Sequence, residues 1–294
     1  MRLWTGQQLT RRLSGFYPPS LLLLAALVSA ASARAQEPET RFLDDLPVHY
    51  IYATVLGTGF YDINGLKAAV IRLPFSTGTK DSPTDNMRWR LIAPTSIGYQ
   101  NRSGDSSLDQ WIPTKILSVS AVPGVELFYR PRDNLELKPF VQLGVGRDYN
   151  QHETTNIAVA GYRALGAITT TGHWEISAGH SLQWAREWLQ HRDHHSQFNL
   201  FEVGMDFKRQ LPVTILGRST SMSVFGVWQY FFNQQNSSYP SVEPVGLDNL
   251  YKIGVSFGTG RPYSLLGFNV DTVSVGLSFG NHSYALNFGT GFPF

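Results

Sequence analysis

Every second residue of the stretch Ser283–Phe294 is large and apolar: Tyr284, Leu286, Phe288, Phe292 and Phe294, with Thr290 the one weak member. Between them stand Ser283, Ala285, Asn287, Gly289 and Gly291, all small or polar. Successive side chains of a strand point to opposite faces, so such a strand has one aromatic face and one small, wet face. A water-soluble sandwich has little reason to finish a strand on a bare aromatic ring. The pattern demands a wall with an apolar medium on one side, and the rest of the chain has to supply the remaining staves.

It does. Alternating segments separated by turn clusters are read at Tyr50–Tyr61, Leu66–Ser76, Arg88–Tyr99, Lys115–Arg130, Leu135–Asp148, Asn156–Ile168, His173–Arg186, Ser196–Arg209, Ser219–Phe232, Leu250–Gly258, Phe268–Gly280 and Ser283–Phe294. The cleanest sets Leu135, Leu137, Val141, Leu143 and Val145 against Glu136, Lys138, Gln142, Gly144 and Gly146. Ser219–Phe232 is apolar on both faces and leaves its orientation open. Asn64-Gly65 marks a hairpin between the first two segments. The expected fold is all-β: a transmembrane antiparallel β-barrel of about twelve strands, an even number as bacterial single-chain barrels require.

The last segment resembles the C-terminal strand of Gram-negative outer-membrane β-barrels, whose terminal Phe and alternating aromatics are read by the assembly machinery. The resemblance implies that Tyr284, Leu286, Phe288, Phe292 and Phe294 form an assembly signal. It also implies barrel-assembly machinery and periplasmic chaperones as partners, with outer-membrane lipid and lipopolysaccharide around the finished barrel. Together with the strand number, Gly144-Val145-Gly146 after Pro139-Phe140-Val141-Gln142 and the ending Gly289-Thr290-Gly291-Phe292-Pro293-Phe294 make the chain similar to the translocator barrel of autotransporters, in its solitary form. The short polar stretch Gln36–Val48 ahead of the first strand leaves no passenger and no pore-plugging helix, so secretion of an attached domain is not expected.

The N-terminus carries an export signal. Arg2, Arg11 and Arg12 form a basic region, Leu21–Val28 a short apolar core, and Ala33-Arg34-Ala35 a small-x-small cleavage site. The expected organisation is a cleaved signal peptide over 1–35, a periplasmic segment over 36–48 and the barrel over 49–294. Arg11-Arg12 hints at the twin-arginine route, but that route carries folded proteins, and a barrel with a lipid-facing exterior has to cross unfolded. The general secretory route to the outer membrane is therefore expected. Removing the signal takes four Arg and no acid, and turns the formal charge from +2 to −2, so nothing points to nucleic acid. There is no Cys for a lipid anchor or a disulfide. The mean hydropathy of −0.16 does not exclude the membrane, because only alternate residues of a barrel meet lipid.

Loop lengths and aromatic spacing support the barrel. With the chain starting in the periplasm, the short links Pro131–Asn134 and Thr169–Gly172 fall inside, and the long polar links Gln100–Thr114, Glu187–His195 and Asn233–Asp248 fall outside. Trp89 and Tyr99, Trp174 and Trp184, and Tyr284 and Phe294 are same-face aromatic pairs ten residues apart. That spacing matches the roughly 25 Å between the aromatic girdles of a lipid-facing band. The opposite face is expected to line the lumen with Arg72, Arg88, Arg90, Glu126, Glu136, Lys138, Gln142, Glu175, Glu202, Asp206, Lys208 and Lys252. Both signs occur, so the interior is either a channel without a single-sign ring or a lumen closed by its own ion pairs.

Three other readings compete for the same residues. Outer-membrane lipid acyl hydrolases use a His-x-Ser pair at the outer rim, and His194-His195-Ser196 sits at the start of the eighth segment with Glu187 at the end of the seventh. A serine nucleophile needs a His base and a third group to orient it. Here Gln197-Phe198 replaces the Asn-Gly expected after such a pair, and the parity of Ser196 with Glu202 turns it inward. A metal held by His191, Asp193, His194 and His152 would need ligand spacing more regular than this loop provides. A soluble secreted β-sandwich that binds a ligand also alternates, but its strands are shorter. The preferred reading is a passive pore or structural envelope protein, not an enzyme, with no cofactor or metal and an unspecified oligomeric state.

Overall fold

The computed structural model describes residues 54–63, 66–81, 86–101, 118–149, 152–190, 195–215, 217–236, 247–265 and 268–294. The expected signal peptide and the lead over 36–48 lie outside them. Among the described residues fourteen strands follow one another: β1 (Thr58–Ile63), β2 (Leu66–Ser76), β3 (Lys80–Asp81), β4 (Met87–Asn101), β5 (Ser118–Ala121), β6 (Gly124–Arg132) and β7 (Leu135–Asp148). Then come β8 (Thr154–Thr171), β9 (Trp174–Leu189), β10 (His195–Ile215), β11 (Arg218–Asn236), β12 (Asn249–Leu265), β13 (Phe268–Gly280) and β14 (Ser283–Gly289).

The strands pair antiparallel in sequence order, except that β2 passes over β3 to pair with β4 and that β5 and β6 do not pair with each other, and β1 closes the ring on β14 from Thr58 opposite Phe288 to Ile63 opposite Ser283. β5 and β6 are two halves of one stave, both bridging β4 and β7. They are parted at Val122-Pro123, where Pro has no N–H to give the ladder. The small β3 pairs with β4 below β2, between the second and third segments read from the sequence. The barrel thus has twelve staves and one accessory strand.

Several staves outrun their sequence-based limits. β10 and β11 pair to Ile215 opposite Arg218, well past the Arg209 and Ser219 limits read from the sequence. The seam is the reverse: β1 has 6 residues and β14 has 7, while β13 has 13. On the short-turn side of the seam β2 and β13 contact each other directly. There Thr58 Oγ1 donates to the Arg72 carbonyl (3.1 Å) and accepts from the Arg72 N–H (2.9 Å), serving a stretch of β2 that β1 no longer reaches.

The two faces of the wall differ as the alternation demands. The outer face exposes Ile71, Leu91, Leu127, Val141, Leu143, Val145, Val203, Met205, Phe207, Val255, Val275, Tyr284, Leu286 and Phe288. A continuous apolar exterior on this scale is foreign to water-soluble monomers. The interior is filled. At the long-loop end Tyr61, Ile63, Ile157, Val159, Phe198, Leu200, Phe231, Leu247 and Leu250 are buried together, with Phe198 and Phe231 edge to face at 5.5 Å. This resolves the stretch that is apolar on both faces. In β11, Phe225, Val227 and Phe231 are buried inside, while Met222, Val224 and Tyr230 stand outside.

Candidate functional site

Midway along the lumen two buried carboxylates organise their surroundings. Glu126 on β6 is fully buried, and each of its oxygens takes an arginine. Arg90 Nε donates to Oε2 at 2.7 Å, and Arg163 Nη1 donates to Oε1 at 2.8 Å. Both guanidinium groups also lie over aromatic faces, Arg90 on Phe128 and Arg163 on Phe140. Register explains the meeting: Arg90 is directly opposite Glu126 on β4, while Arg163 comes from β8, two staves away across β7.

Glu202 on β10 is satisfied differently. Its cross-strand partners are Ser181 on β9 and Gln229 on β11, so both neighbouring staves aim donors at it. Ser181 Oγ (2.5 Å) and Gln183 Nε2 (3.0 Å) donate to Oε2, and Gln229 Nε2 donates to Oε1 at 2.6 Å. A carboxylate held by neutral donors in a low-dielectric interior is fixed in place, with little capacity left for a diffusing solute. Nearer the short turns, Glu136 binds Arg130 at 2.6 Å and Lys138 at 3.1 Å, and Glu175 faces Lys208 at 3.6 Å.

The sequence-based lumen set lies on inward register positions. Of it, the fold joins Arg90 to Glu126, Glu136 to Lys138, and Glu175 to Lys208. Gln142 donates to the Val122 carbonyl at 3.1 Å, across the break in the β5/β6 stave. Arg88 stands opposite Phe128. Arg72 Nε and Asp206 Oδ1 are buried without a hydrogen-bond partner among the described residues. Arg163, Ser181, Gln183 and Gln229 were not foreseen as site residues. Arg163 follows Ile157, Val159 and Gly161 on one face of a weakly alternating segment, and that parity was the available signal.

Of the hydrolase trio, Ser196 and Glu187 are direct partners in the β9–β10 register, and both are buried. His194 lies outside the described residues, as do His191 and Asp193. Ser196 therefore faces inward, as its parity with Glu202 requires, and not toward the exterior where acyl chains would lie.

The aromatic set divides. Trp89, Tyr99, Trp174, Trp184 and Tyr284 occupy outward positions, with Tyr284 51% exposed. Lys80 caps Trp89 at 5.3 Å and Arg209 caps Trp174 at 5.5 Å. Phe294 does not belong with them. β14 ends at Gly289, Gly291 takes a φ of 105°, and the chain turns into the barrel. Phe294, 8% exposed, packs with Phe225 and Val227, and Phe292 packs against the same cluster. The same-face reading of Phe292 and Phe294 with Tyr284, Leu286 and Phe288 thus fails for the last two rings. The strand's alternation stops at a glycine free to adopt positive φ, and the lumen buries Phe294 and partly buries Phe292.

No known protein family's description matches the chain, and no curated protein does. Among solved structures, the fold is similar to the beta domain of the Bordetella autotransporter BrkA, with a TM-score of 0.51 at 13% identity over 80% of this chain and 96% of that one. A likeness to Pseudomonas aeruginosa OccK5 (OpdH), with a TM-score of 0.17 at 10% identity over 78% and 94% of the two chains, carries no argument. The chain is a closed antiparallel β-barrel. Its fold is similar to that of an autotransporter beta domain, with twelve antiparallel staves closed first to last.

Proposed function

We propose that this protein resides in the bacterial outer membrane as a closed structural barrel whose resting lumen does not conduct. The observation that supports the reading is the filling of the interior at three levels: the apolar cluster at the long-loop end, the Glu126 and Glu202 nodes at mid-height, and the Phe225 cluster nearer the short turns. In this reading the short turns face the periplasm and the long polar loops face outward, with Trp174 and Tyr284 near opposite interfaces. The barrel-assembly machinery and periplasmic chaperones deliver it, and lipid and lipopolysaccharide surround it. The outward part of the assembly signal is then Tyr284, Leu286 and Phe288.

The test is the conductance of the refolded chain in a planar bilayer. Silence at moderate voltage is expected, while discrete, long-lived open steps in the unmodified protein would replace this reading with that of a passive pore. A lipid-hydrolysis assay on the same preparation addresses the enzyme alternative. Turnover abolished by Ser196→Ala would restore it.

A further inference from the structure

The final five residues cross the lumen. β14 and β9 are five staves apart in a ring of twelve, close to opposite walls, yet Phe294, five residues past the end of β14, packs against Gly179 of β9. Five residues reach at most about 17 Å even when extended, and the chain bends at Thr290–Phe292 to turn inward. Its departure is anchored at the wall: the Gly291 N–H donates to Ser274 Oγ at 3.1 Å. Its far end is anchored by rings. Phe292 and Phe294 stand edge to face at 4.9 Å, and Phe292 meets Phe225 at 6.1 Å.

The receiving wall has a recess for them. Gly179 and Gly204 are direct partners in the β9–β10 register, flanked on the same inward faces by Ser177, Ser181, Glu202 and Asp206. A Cβ on Gly179 would come within 2.4 Å of the Phe294 ring, while one on Gly204 would meet the Gly226 carbonyl at 2.6 Å and Val227 at 2.9 Å as well as the Phe292 ring at 3.0 Å. With the tail seated, Gly179 has no room for a side chain, and the Phe294 ring takes the place where one would stand. Such a match between an absent side chain and an inserted one is a docking site, not incidental contact.

We propose that Thr290–Phe294 is an internal plug, a crossbar seated in the Gly179/Gly204 recess that closes the lumen just to the short-turn side of the Glu202 node. The proposal goes beyond the closed-barrel reading, because it assigns closure at that level to a segment outside the staves. Its position is tested independently of conductance. The chain contains no Cys, so Gly179→Cys with Phe294→Cys, refolded in detergent and oxidised, isolates one pair. An internal crosslink with altered gel mobility is expected for this pair, and none for Val203→Cys with Phe294→Cys, which probes the outer face. The reverse pattern would put the tail outside and overturn the proposal.

Its action as a plug is tested by thiol accessibility. Ser181→Cys lies past the recess; it gives up the Ser181 bond to Glu202, which Gln183 and Gln229 still hold, and a small water-soluble reagent should modify it slowly while the tail is seated. Combined with Phe292→Ala and Phe294→Ala, the rate should rise at least about tenfold, as a minor open population becomes the major one. Gly179→Leu, which keeps the tail but fills its seat, should do the same. Rates are read on the fraction that keeps the folded gel mobility. Equal rates with and without the rings would overturn the plug.

Discussion

Glu126 shows how single residues set the character of this interior. One carboxylate takes up two arginines that arrive from staves on either side, and both partners also rest on aromatic rings. Removing its charge strands two partly buried cations, a loss of the kind that costs about 3–5 kcal/mol. Glu126→Gln should therefore lower the resistance of the folded barrel to urea or heat markedly, measured by the shift between folded and unfolded gel mobility. Glu175→Gln, whose Lys208 partner is 3.6 Å away and whose pair is half exposed, should change it by about 0–1 kcal/mol at most. Two ion pairs that look alike in sequence thus differ several-fold in consequence.

At the scale of the element, the strands were legible wherever one face meets lipid and the other does not. β7, with Val141, Leu143 and Val145 outside and Gln142 inside, reads directly, because the medium on each side dictates the residue type. β11 did not read, because its inward residues Phe225, Val227 and Phe231 pack against each other's neighbours across the lumen and are as apolar as the outward ones. The ion pairs were half legible. Parity gave the inward set, but which charge meets which depends on stagger between staves, and Arg163 reaches Glu126 across an intervening strand. The inward turn of the tail was invisible because the alternation runs on past Gly289, and only the glycine at 291 hinted at a break. The outward reading of β10 carries its own test. Val203→Arg, near mid-height on the exterior, should destabilise the barrel by about 2–4 kcal/mol in lipid vesicles, the cost of a cation at the bilayer midplane. The measurement is unfolding in vesicles, and tolerance equal to that of an exposed loop position would contradict a lipid-facing Val203.

For the whole molecule, closure depends on its weakest join. β1 and β14 are the shortest of the full staves, and Thr58 Oγ1 substitutes for a missing backbone partner by serving both the N–H and the carbonyl of Arg72. Thr58→Val keeps the shape and removes both bonds, leaving two backbone groups unserved at about 1–3 kcal/mol each. The expected result is faster amide exchange along β1 and β14, with β8 to β11 little changed. Uniform exchange around the ring would argue that the seam is no weaker than the rest.

The brevity of β1 and β14 also has a mechanical side. Below their ends β2 and β13 come near each other with no ladder between them among the described residues, so the hydrogen-bonded ring is complete only at the level of the two short staves. Along that line the wall is held by side chains and by Thr58, and a pull across the barrel would part it there first.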